Sequence, residues 1–454
     1  MEQTQDASEQ ELQRLFHLPA PHLPHGLIAF PRRLLPWIEP WFLAYACLGV
    51  VQGGMLPLLL PLSAGGSTHA GVIVGVMNLA GLTAPLWGHL ADQRRLHRQV
   101  LLAGMLAVFV ALLLIPMQLG LPFKTVVAAI LGVGFAAANT VANMFIVEVR
   151  PPDEWDDRIG ALQALGGLGQ VVGLLLAGVI GGRYALAYAV AAALIAASVP
   201  MAWLTLRGIH VPVRRDEAAA HPPLGAEGWA SSPQRMFHIV TWQGLGTLVH
   251  ELEMPFARLI IVWFAAFVAI SAVLTMLPLA LIREFGVSMR LPATTYAFAA
   301  AVSLALYPLV ARLSEQRGPR PVLLFGFAMR AAAIVALAIA FLSQTGGVPL
   351  ALAGFVVLVM AWPLLGVSGT ALAAHLAPGE KGEALGLFNA SSSLASAVGA
   401  LLGGWVMDMV SYGTVCMAGA IIVGLAALCA GGANRHSTSL DRTGTDLRPP
   451  TASM

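Results

Sequence analysis

The chain has 454 residues, of which 57% are hydrophobic and 11% charged, and its formal net charge is +2. Its mean hydropathy is +0.77, whereas a soluble protein of this length needs more charge to cover its surface, and so small a net charge is no sign of nucleic-acid binding. Apolar runs of about 20 residues recur along the chain, and each can cross a bilayer as a helix, which predicts an all-α polytopic membrane protein.

The apolar runs predict about twelve transmembrane helices, six before and six after one polar stretch. The first set is predicted near 40–62, 69–91, 100–120, 124–148, 159–182 and 184–206. The second set is predicted near 257–282, 292–313, 322–343, 348–377, 383–408 and 412–432.

The polar stretch contains RRDEAAAHPPLGAEGWASSPQR, where proline, glycine, serine and charge replace the apolar pattern. It therefore predicts a boundary between two halves. The predicted units are a cytoplasmic N-terminal segment (1–39), a first six-helix half (40–206), a linker (207–256), a second six-helix half (257–432) and a disordered tail (433–454). Within the linker, the apolar face of RMFHIVTWQGLGTLVHELEM predicts an amphipathic helix on the membrane surface.

The distribution of lysine and arginine sets the expected orientation. With the N-terminus inside, the inside segments hold twenty of the 25 basic residues, the outside loops hold four, and Arg330 is left within the ninth span. Basic loops stay in the cytoplasm, so both termini and the linker are predicted to be cytoplasmic, in a multi-pass protein of the plasma or cell inner membrane.

One charged turn occurs twice, as LADQRRLHRQVLLAG from Leu90 and as LSEQRGPRPVLLFG from Leu313. Each copy follows the second predicted span of its half and would lie on the cytoplasmic side. Six spans, a linker and six spans, with the same turn in the same place, indicate a duplicated architecture. Such halves typically rock against each other about a central site.

With these features the chain resembles the major facilitator superfamily of secondary transporters, over nearly all of 41–430. The family's loop signature is Gly-x-x-x-Asp-Arg-x-Gly-Arg-Arg. The first copy of the turn keeps Gly88 and Asp92, and the second has Glu315 for the acid, then Gly318 and Arg320. Both copies have glutamine where the first arginine is usual. This leaves the basic role open among Arg94, Arg95, Arg98 and Arg317.

The resemblance implies that the turn joins the two halves. The family places Asp92 against the N-terminus of the eleventh span, where the helix dipole and free N–H groups favour a carboxylate. In the mirrored arrangement Glu315 would meet the start of the fifth span near Arg158, and Glu148 would join the network of Asp92. Such contacts would favour the outward-open state. The alternative is that these charges only mark the cytoplasmic ends of helices.

A second pattern lies in the fifth span, in GQVVGLLLAGVIGG from Gly169. Small residues spaced by four let another helix approach closely. The run is similar to the glycine-rich fifth-span motif of the family's proton-driven exporters, except that Gly178 stands where that motif has proline. Ordinary helix packing is the other interpretation. The residues concerned are Gly169, Gly173, Gly178, Gly181 and Gly182.

In this family the substrate cavity is lined mainly by the first, fourth, seventh and tenth spans. Asn139 and Asn143 are spaced i, i+4 on the fourth span and so share one face. Two amides suit a neutral or amphipathic ligand, and they could equally hydrogen-bond helices together. The candidate cavity residues on these spans are Gln52, Asn139, Asn143, Trp263 and Trp362.

Arg330 is predicted deep in the ninth span, nine residues after Pro321 and roughly 13 Å along the helix. A guanidinium there is costly unless it snorkels, bonds to a carbonyl or faces a polar cavity. Because the ninth span is mostly peripheral in the family, snorkelling or a carbonyl bond is the first interpretation. Binding of an anionic substrate is the second.

Proton coupling stays open at this level. A proton-coupled transporter usually needs a carboxylate or histidine at membrane depth, and no Asp or Glu is predicted clearly at mid-span. His375, late in the tenth span, is the nearest candidate for carrying protons as the coupling ion.

The leading functional interpretation is a secondary transporter that exports a small amphipathic molecule by alternating access. The alternatives are an uncoupled facilitator or importer of a neutral solute and, in another class, a transporter-like assembly factor or sensor. No nucleophile–base set, nucleotide-binding loop or Cys/His cluster is found, so no enzyme activity, cofactor or metal is expected. The expected partners are a small-molecule substrate and the lipid bilayer, and a monomer is expected.

Overall fold

The computed structural model describes residues 37–94, 96–117, 119–151, 154–207, 255–343, 347–377 and 381–432. The predicted amphipathic helix of the linker, the tail and nearly all of the N-terminal segment lie outside these residues. Their predicted roles stay predictions.

The described residues contain twelve helices that are long and apolar enough to cross a membrane, which confirms the predicted all-α multi-pass fold class. In chain order the helices are α1 (Pro40–Ser63), α2 (Ser67–Leu79, Ala80–Thr83 and Ala84–Arg94), α3 (His97–Leu114), α4 (Gly120–Val149), α5 (Trp155–Ile180), α6 (Tyr184–Leu206), α7 (Pro255–Phe285), α8 (Arg290–Arg317), α9 (Pro319–Ser343), α10 (Gly347–Met360 and Trp362–Leu376), α11 (Lys381–Met409) and α12 (Tyr412–Gly432).

The first helix changes its winding in the middle, where Val50–Met55 is π-helical. This segment carries Gln52 and the pair Gly53 and Gly54, and glycines weaken the regular helix. The missing side chain at Gly54 also allows contact with α5, since a Cβ there would lie 2.6 Å from the Cα of Gly173. Short π-helical segments are frequent at functional sites.

The tenth helix is interrupted at Ala361, two residues before Pro363. Proline has no N–H, so Pro363 cannot donate to the carbonyl of Val359 one turn earlier. The hydroxyl of Ser303 on α8 lies 3.2 Å from that carbonyl oxygen and 2.8 Å from that of Ala299, so its one hydrogen is shared between the two. A freed carbonyl inside the membrane needs such a partner, so Ser303 makes the break in α10 tolerable.

The helices form two halves that also pack on each other. In the first half α1 packs on α5 and α6, and α3 packs on α4 and α6; in the second, α7 packs on α11 and α12, and α9 packs on α10 and α12. Two helix pairs, α2 with α11 and α5 with α8, make most of the contact between halves. These pairs occupy equivalent places in the two halves, as duplicated six-helix units would require.

The halves touch mainly at one end. We call the end with the loops after α1, α3, α5, α7, α9 and α11 the odd-loop end, and the opposite end the even-loop end. Near the odd-loop end, a Cβ at Gly404 would lie 2.3 Å from the carbonyl oxygen of Ser67, and one at Gly71 would lie 2.5 Å from that of Ala400. The last segment of α2, Ala84–Arg94, packs on α3 and α4 of its own half. The halves therefore diverge toward the even-loop end.

Candidate functional site

A cavity of about 1160 Å³ lies between the two halves. Residues of α1, α2, α4 and α5 line it on one side, and residues of α7, α8, α9, α10 and α11 on the other. The lining extends to Gly160 of α5 and Ala311 of α8, both toward the even-loop end. The volume is slightly above the range of about 300–1,000 Å³ that is typical of small-molecule sites, so a small solute fits between the halves.

The first-half wall is a row of amides. Asn139 of α4 donates its Nδ2 to the Oε1 of Gln52 at 2.9 Å, and both side chains line the cavity. Gln163 and Gln170 of α5 line the same wall. Amides offer both donors and acceptors without net charge, so this wall can orient polar groups of either kind.

The second-half wall is aromatic and contains the cavity's charge. Tyr296 and Tyr307 of α8 and Phe267 of α7 line it, together with Trp362, which is 39% exposed just after the break in α10. The rings of Phe267 and Trp362 lie 5.6 Å apart, centroid to centroid. Among the described residues that line the cavity, Arg330 is the one that carries a formal charge at neutral pH.

Arg330 faces inward from α9. It is 2% exposed, it lines the cavity, and its guanidinium carbon lies 5.3 Å from the ring centroid of Trp362. In the described structure its Nε and Nη1 atoms have no hydrogen-bond partner. The expectation of snorkelling or of a carbonyl bond is therefore wrong, because the Arg330 side chain turns into the cavity between the halves.

Two residues predicted to line the cavity lie outside its wall. Trp263 is 2% exposed, donates its Nε1 to the hydroxyl of Ser392 at 2.8 Å and stacks on Phe267 at 4.4 Å. Its indole is thus part of the packing of the second half. Asn143 donates to the carbonyl of Asn139 at 2.8 Å and accepts from the Nε2 of Gln163 at 3.3 Å, so it joins α4 to α5 beside the cavity.

A carboxylate joins the halves at the odd-loop end, opposite to where the sequence predicted one. Asp408, at the end of α11, accepts the backbone N–H of Thr68 at 2.7 Å and that of Ser67 at 3.3 Å. These N–H groups belong to the first turn of α2, where the helix dipole favours an anion. Arg283 of α7 also donates to the hydroxyl of Ser67, at 3.0 Å.

The contacts between the halves that were predicted for Asp92 and Glu315 at the even-loop end are described only in part. The side chains of Asp92, Arg94, Arg95 and Glu148 lie outside the described part of the structure, so the contact of Asp92 with α11 stays a prediction.

Glu315 is exposed at the end of α8, and Arg158 bonds to Glu39 and Glu154 of its own half. A pair between Glu315 and Arg158 is not among the ion pairs of the described residues. The halves diverge at that end, which explains the difference.

Glu39 is a residue whose role the sequence did not reveal. It is 9% exposed and accepts hydrogen bonds from Trp41 Nε1 at 2.9 Å, from Arg150 Nε at 2.9 Å and from Arg158. The carboxylate thereby ties together the start of α1, the end of α4 and the start of α5. The signal available was a glutamate directly before Pro40 at a helix start.

The repeated turn also has a role within each half. Arg98, in the first turn of α3, lies over the ring of Trp203 on α6 at 5.3 Å. Arg320, in the first turn of α9, donates to the carbonyl oxygen of Ala430 on α12 at 2.8 Å. In both halves a basic residue after the turn thus holds the third helix to the sixth.

The remaining turn residues are simple to place. Gly318 ends α8 with a φ of 82°, which glycine adopts without strain, and Arg317 is exposed. Gly88 faces α4, where a Cβ would lie 3.3 Å from the sulfur of Met144.

The glycines of the fifth helix divide among three tasks. A Cβ at Gly173 would lie 2.0 Å from the carbonyl oxygen of Val50, and one at Gly169 would lie 2.3 Å from that of Ala46, so both pack on α1. Gly178 packs across the halves, where a Cβ would lie 2.8 Å from the Cβ of Ala293. Gly181 ends the helix with a φ of 66°. A Cβ at Gly182 would meet open space.

Solved structures share this fold at low sequence identity. The nucleoside transporter NupG has a TM-score of 0.64 at 14% identity, covering 88% of this chain and 98% of that one. The D-xylose-proton symporter has a TM-score of 0.60 at 17%, covering 88% and 97%. The human organic anion transporter MFSD10 (TETRAN) has a TM-score of 0.55 at 15%, covering 88% and 99%. Identities this low indicate the fold alone.

Sequence comparison gives the family directly. No curated protein sequence matches this chain significantly. The family model of the Major Facilitator Superfamily matches residues 41–367 and, in a second match, 264–451. The two matches together take in both six-helix halves, and the chain therefore belongs to the Major Facilitator Superfamily.

Proposed function

We propose that this protein is a secondary transporter that moves a small solute across the membrane by alternating access. The observation that carries the proposal is the cavity between the halves, closed at the odd-loop end by α2–α11 and α5–α8 contacts and extending toward the even-loop end. Rocking of the halves would open the first end and close the second, which exposes the cavity to each side in turn.

The proposed direction is export of an amphipathic compound. The topology expected from the basic residues puts the even-loop end in the cytoplasm, so the cavity would load from there in this conformation. Its wall combines aromatic rings with a few hydrogen-bonding groups, as in sites for amphipathic ligands. An assembly factor or sensor would need no such open cavity.

An uncoupled facilitator of a neutral solute is the second candidate. It is favoured by one observation: among the described lining residues there is no aspartate, glutamate or histidine that could carry a proton.

The expected topology has a direct check. Reporter fusions at Leu206 should be active in the cytoplasm, because the positively charged even-loop segments are retained there. A fusion at Gly65, in the loop after α1, should report the outside. An outside signal at Leu206 would reverse the topology and, with it, the proposed side of loading.

Alternating access predicts two anticorrelated distances between the halves. We would remove Cys47, Cys416 and Cys429 and attach spin labels at two pairs of sites in the full chain in lipid nanodiscs. The even-loop pair is Gly160→Cys with Ala311→Cys, and the odd-loop pair is Gly182→Cys with Ser288→Cys. We expect two populated distances for each pair. Any condition that shortens the distance of the even-loop pair should lengthen the distance of the odd-loop pair. One fixed distance at both pairs under all conditions would contradict a transporter and favour the sensor.

A further inference from the structure

We infer that the solute is an organic anion: a small molecule with one negatively charged group and an apolar, preferably aromatic, body, with Arg330 as the site for the charged group. This inference rests on the proposed function, and it narrows the substrate class of the same cavity.

The state of Arg330 is the first step. In a bilayer-spanning region, a buried guanidinium is costly unless its N–H groups are paired. Arg330 is 2% exposed, yet its Nε and Nη1 have no partner among the described residues. The ring of Trp362 at 5.3 Å contributes a cation–π contact, but a ring face satisfies no N–H. The site is therefore incomplete until an acceptor enters the cavity.

Other arginines show what a structural role requires. Arg158 pairs with Glu39, and Arg320 donates to the carbonyl oxygen of Ala430. Each of these side chains joins two helices through its N–H groups. Arg330 lies on the cavity wall instead, and its fork of donors matches the geometry of a carboxylate, sulfonate or phosphate.

The charge of the cavity is the second step. With Arg330 as the charged residue among the described lining residues, the wall is positive and attracts an anion. An organic cation would meet the same charge without any acidic side chain to offset it. The surroundings thus select for the sign of the solute's charge.

The shape of the wall is the third step. Around Arg330 the second half presents the rings of Trp362, Phe267 and Tyr296, which suit an aromatic or aliphatic body. Across the cavity the first half presents the amides of Gln52 and Asn139. An anion with an apolar body and one further polar group fits both walls.

The test measures binding to the purified full chain in a neutral detergent and a buffer free of phosphate and sulfate. The probes are naphthoate, naphthalenesulfonate, inorganic phosphate and the neutral isostere naphthamide. Thermal unfolding and calorimetric titration would be recorded for the unmodified protein, for Arg330→Gln and for Arg330→Lys. The matched control is Arg312→Gln, an exposed arginine of α8.

Naphthoate or naphthalenesulfonate is expected to bind more tightly than naphthamide and to raise the unfolding temperature. Arg330→Gln should weaken binding of the anion roughly 30-fold, which is the loss expected when one member of a buried charge pair is removed. The same substitution should leave the binding of naphthamide unchanged. Arg330→Lys should retain part of the affinity because it keeps the charge without the fork. Arg312→Gln should bind like the unmodified protein.

Four results would overturn the inference. Equal binding of naphthoate and naphthamide would show that charge is not recognised. Equal binding by Arg330→Gln, or no shift with any of the three anions, would show that Arg330 is not the site. Phosphate binding as tightly as naphthoate would remove the need for an apolar body. The distance measurements are independent of these results, so alternating access can stand while the anion site fails.

Discussion

Gly404→Leu should drive the protein out of the conformation that is closed at the odd-loop end. A Cβ at this position would lie 2.3 Å from the carbonyl oxygen of Ser67, a backbone atom of the other half, and a leucine adds further bulk. Overpacking of this kind costs about 1–3 kcal/mol. Since 1.4 kcal/mol changes a two-state ratio tenfold, the population should shift by roughly 5- to 150-fold toward the state open at the odd-loop end. Spin-label distances would show a longer odd-loop pair.

Two control variants separate conformation from folding. A Cβ at Gly424 of α12 would meet nothing within 4 Å, so Gly424→Leu should change neither distance. A Cβ at Gly403 would lie 2.7 Å from the carbonyl oxygen of Ala272 within the same half, so Gly403→Leu should lower the yield of folded protein. If Gly404→Leu behaves like Gly403→Leu, the α2–α11 contact is part of the folded core and no gate.

Arg330→Met should make the solute-free protein more stable. Burial of an unpaired charge costs several kcal/mol, and the cation–π contact with Trp362 returns only about 0.5–2 kcal/mol. Methionine has a similar length and no charge, so we expect a net gain of about 2 kcal/mol. Denaturant or thermal unfolding of the purified protein without added anions would measure it.

The same substitution at an arginine that has hydrogen-bond partners should lower the stability of the folded protein instead of raising it. Arg320→Met removes a hydrogen bond to the carbonyl of Ala430 and should lower stability by about 1 kcal/mol. If Arg330→Met also lowers stability, then Arg330 has a structural role, and its N–H groups have partners in the folded protein. A gain at Arg330 with a loss at Arg320 would mean that stability is given up where the solute binds.

The helices could be predicted from the sequence because the membrane imposes a local rule. Each span needs about 20 apolar residues, and loops between spans can be polar. The prediction of a span near 184–206 therefore agrees with α6, Tyr184–Leu206. The depth of Arg330 followed in the same way, since rise per residue converts sequence position to depth.

The direction in which a side chain faces could not be predicted from position on a span. Trp263 and Trp362 both lie on spans that line the cavity in this family. The structure buries the first against Phe267 and exposes 39% of the second. That difference depends on the break in α10 and on the neighbours of each helix. Arg330 was misread for the same reason, since α9 alone does not show that its inner face meets Trp362.

Contacts between residues far apart in the sequence could not be predicted either. Asp408 could be recognised as a carboxylate at the end of a span, but its partner Ser67 is 341 positions away. The sequence pattern placed the clamp at the repeated turns. The described contact between the halves lies at the other end, where the start of α2 meets the end of α11.

The unpaired charge of Arg330 has an electrical consequence in an energised membrane. With the cavity empty, each reorientation would transfer a positive site from contact with one side to contact with the other. With a monovalent anion bound, the site is neutral and reorientation moves no net charge. An elementary charge that crosses 100 mV exchanges about 2.3 kcal/mol with the field. An inside-negative voltage would therefore hold the empty carrier open to the cytoplasm and leave the loaded carrier free to turn. Each cycle would take one negative charge outward, so the voltage itself could drive export without a proton.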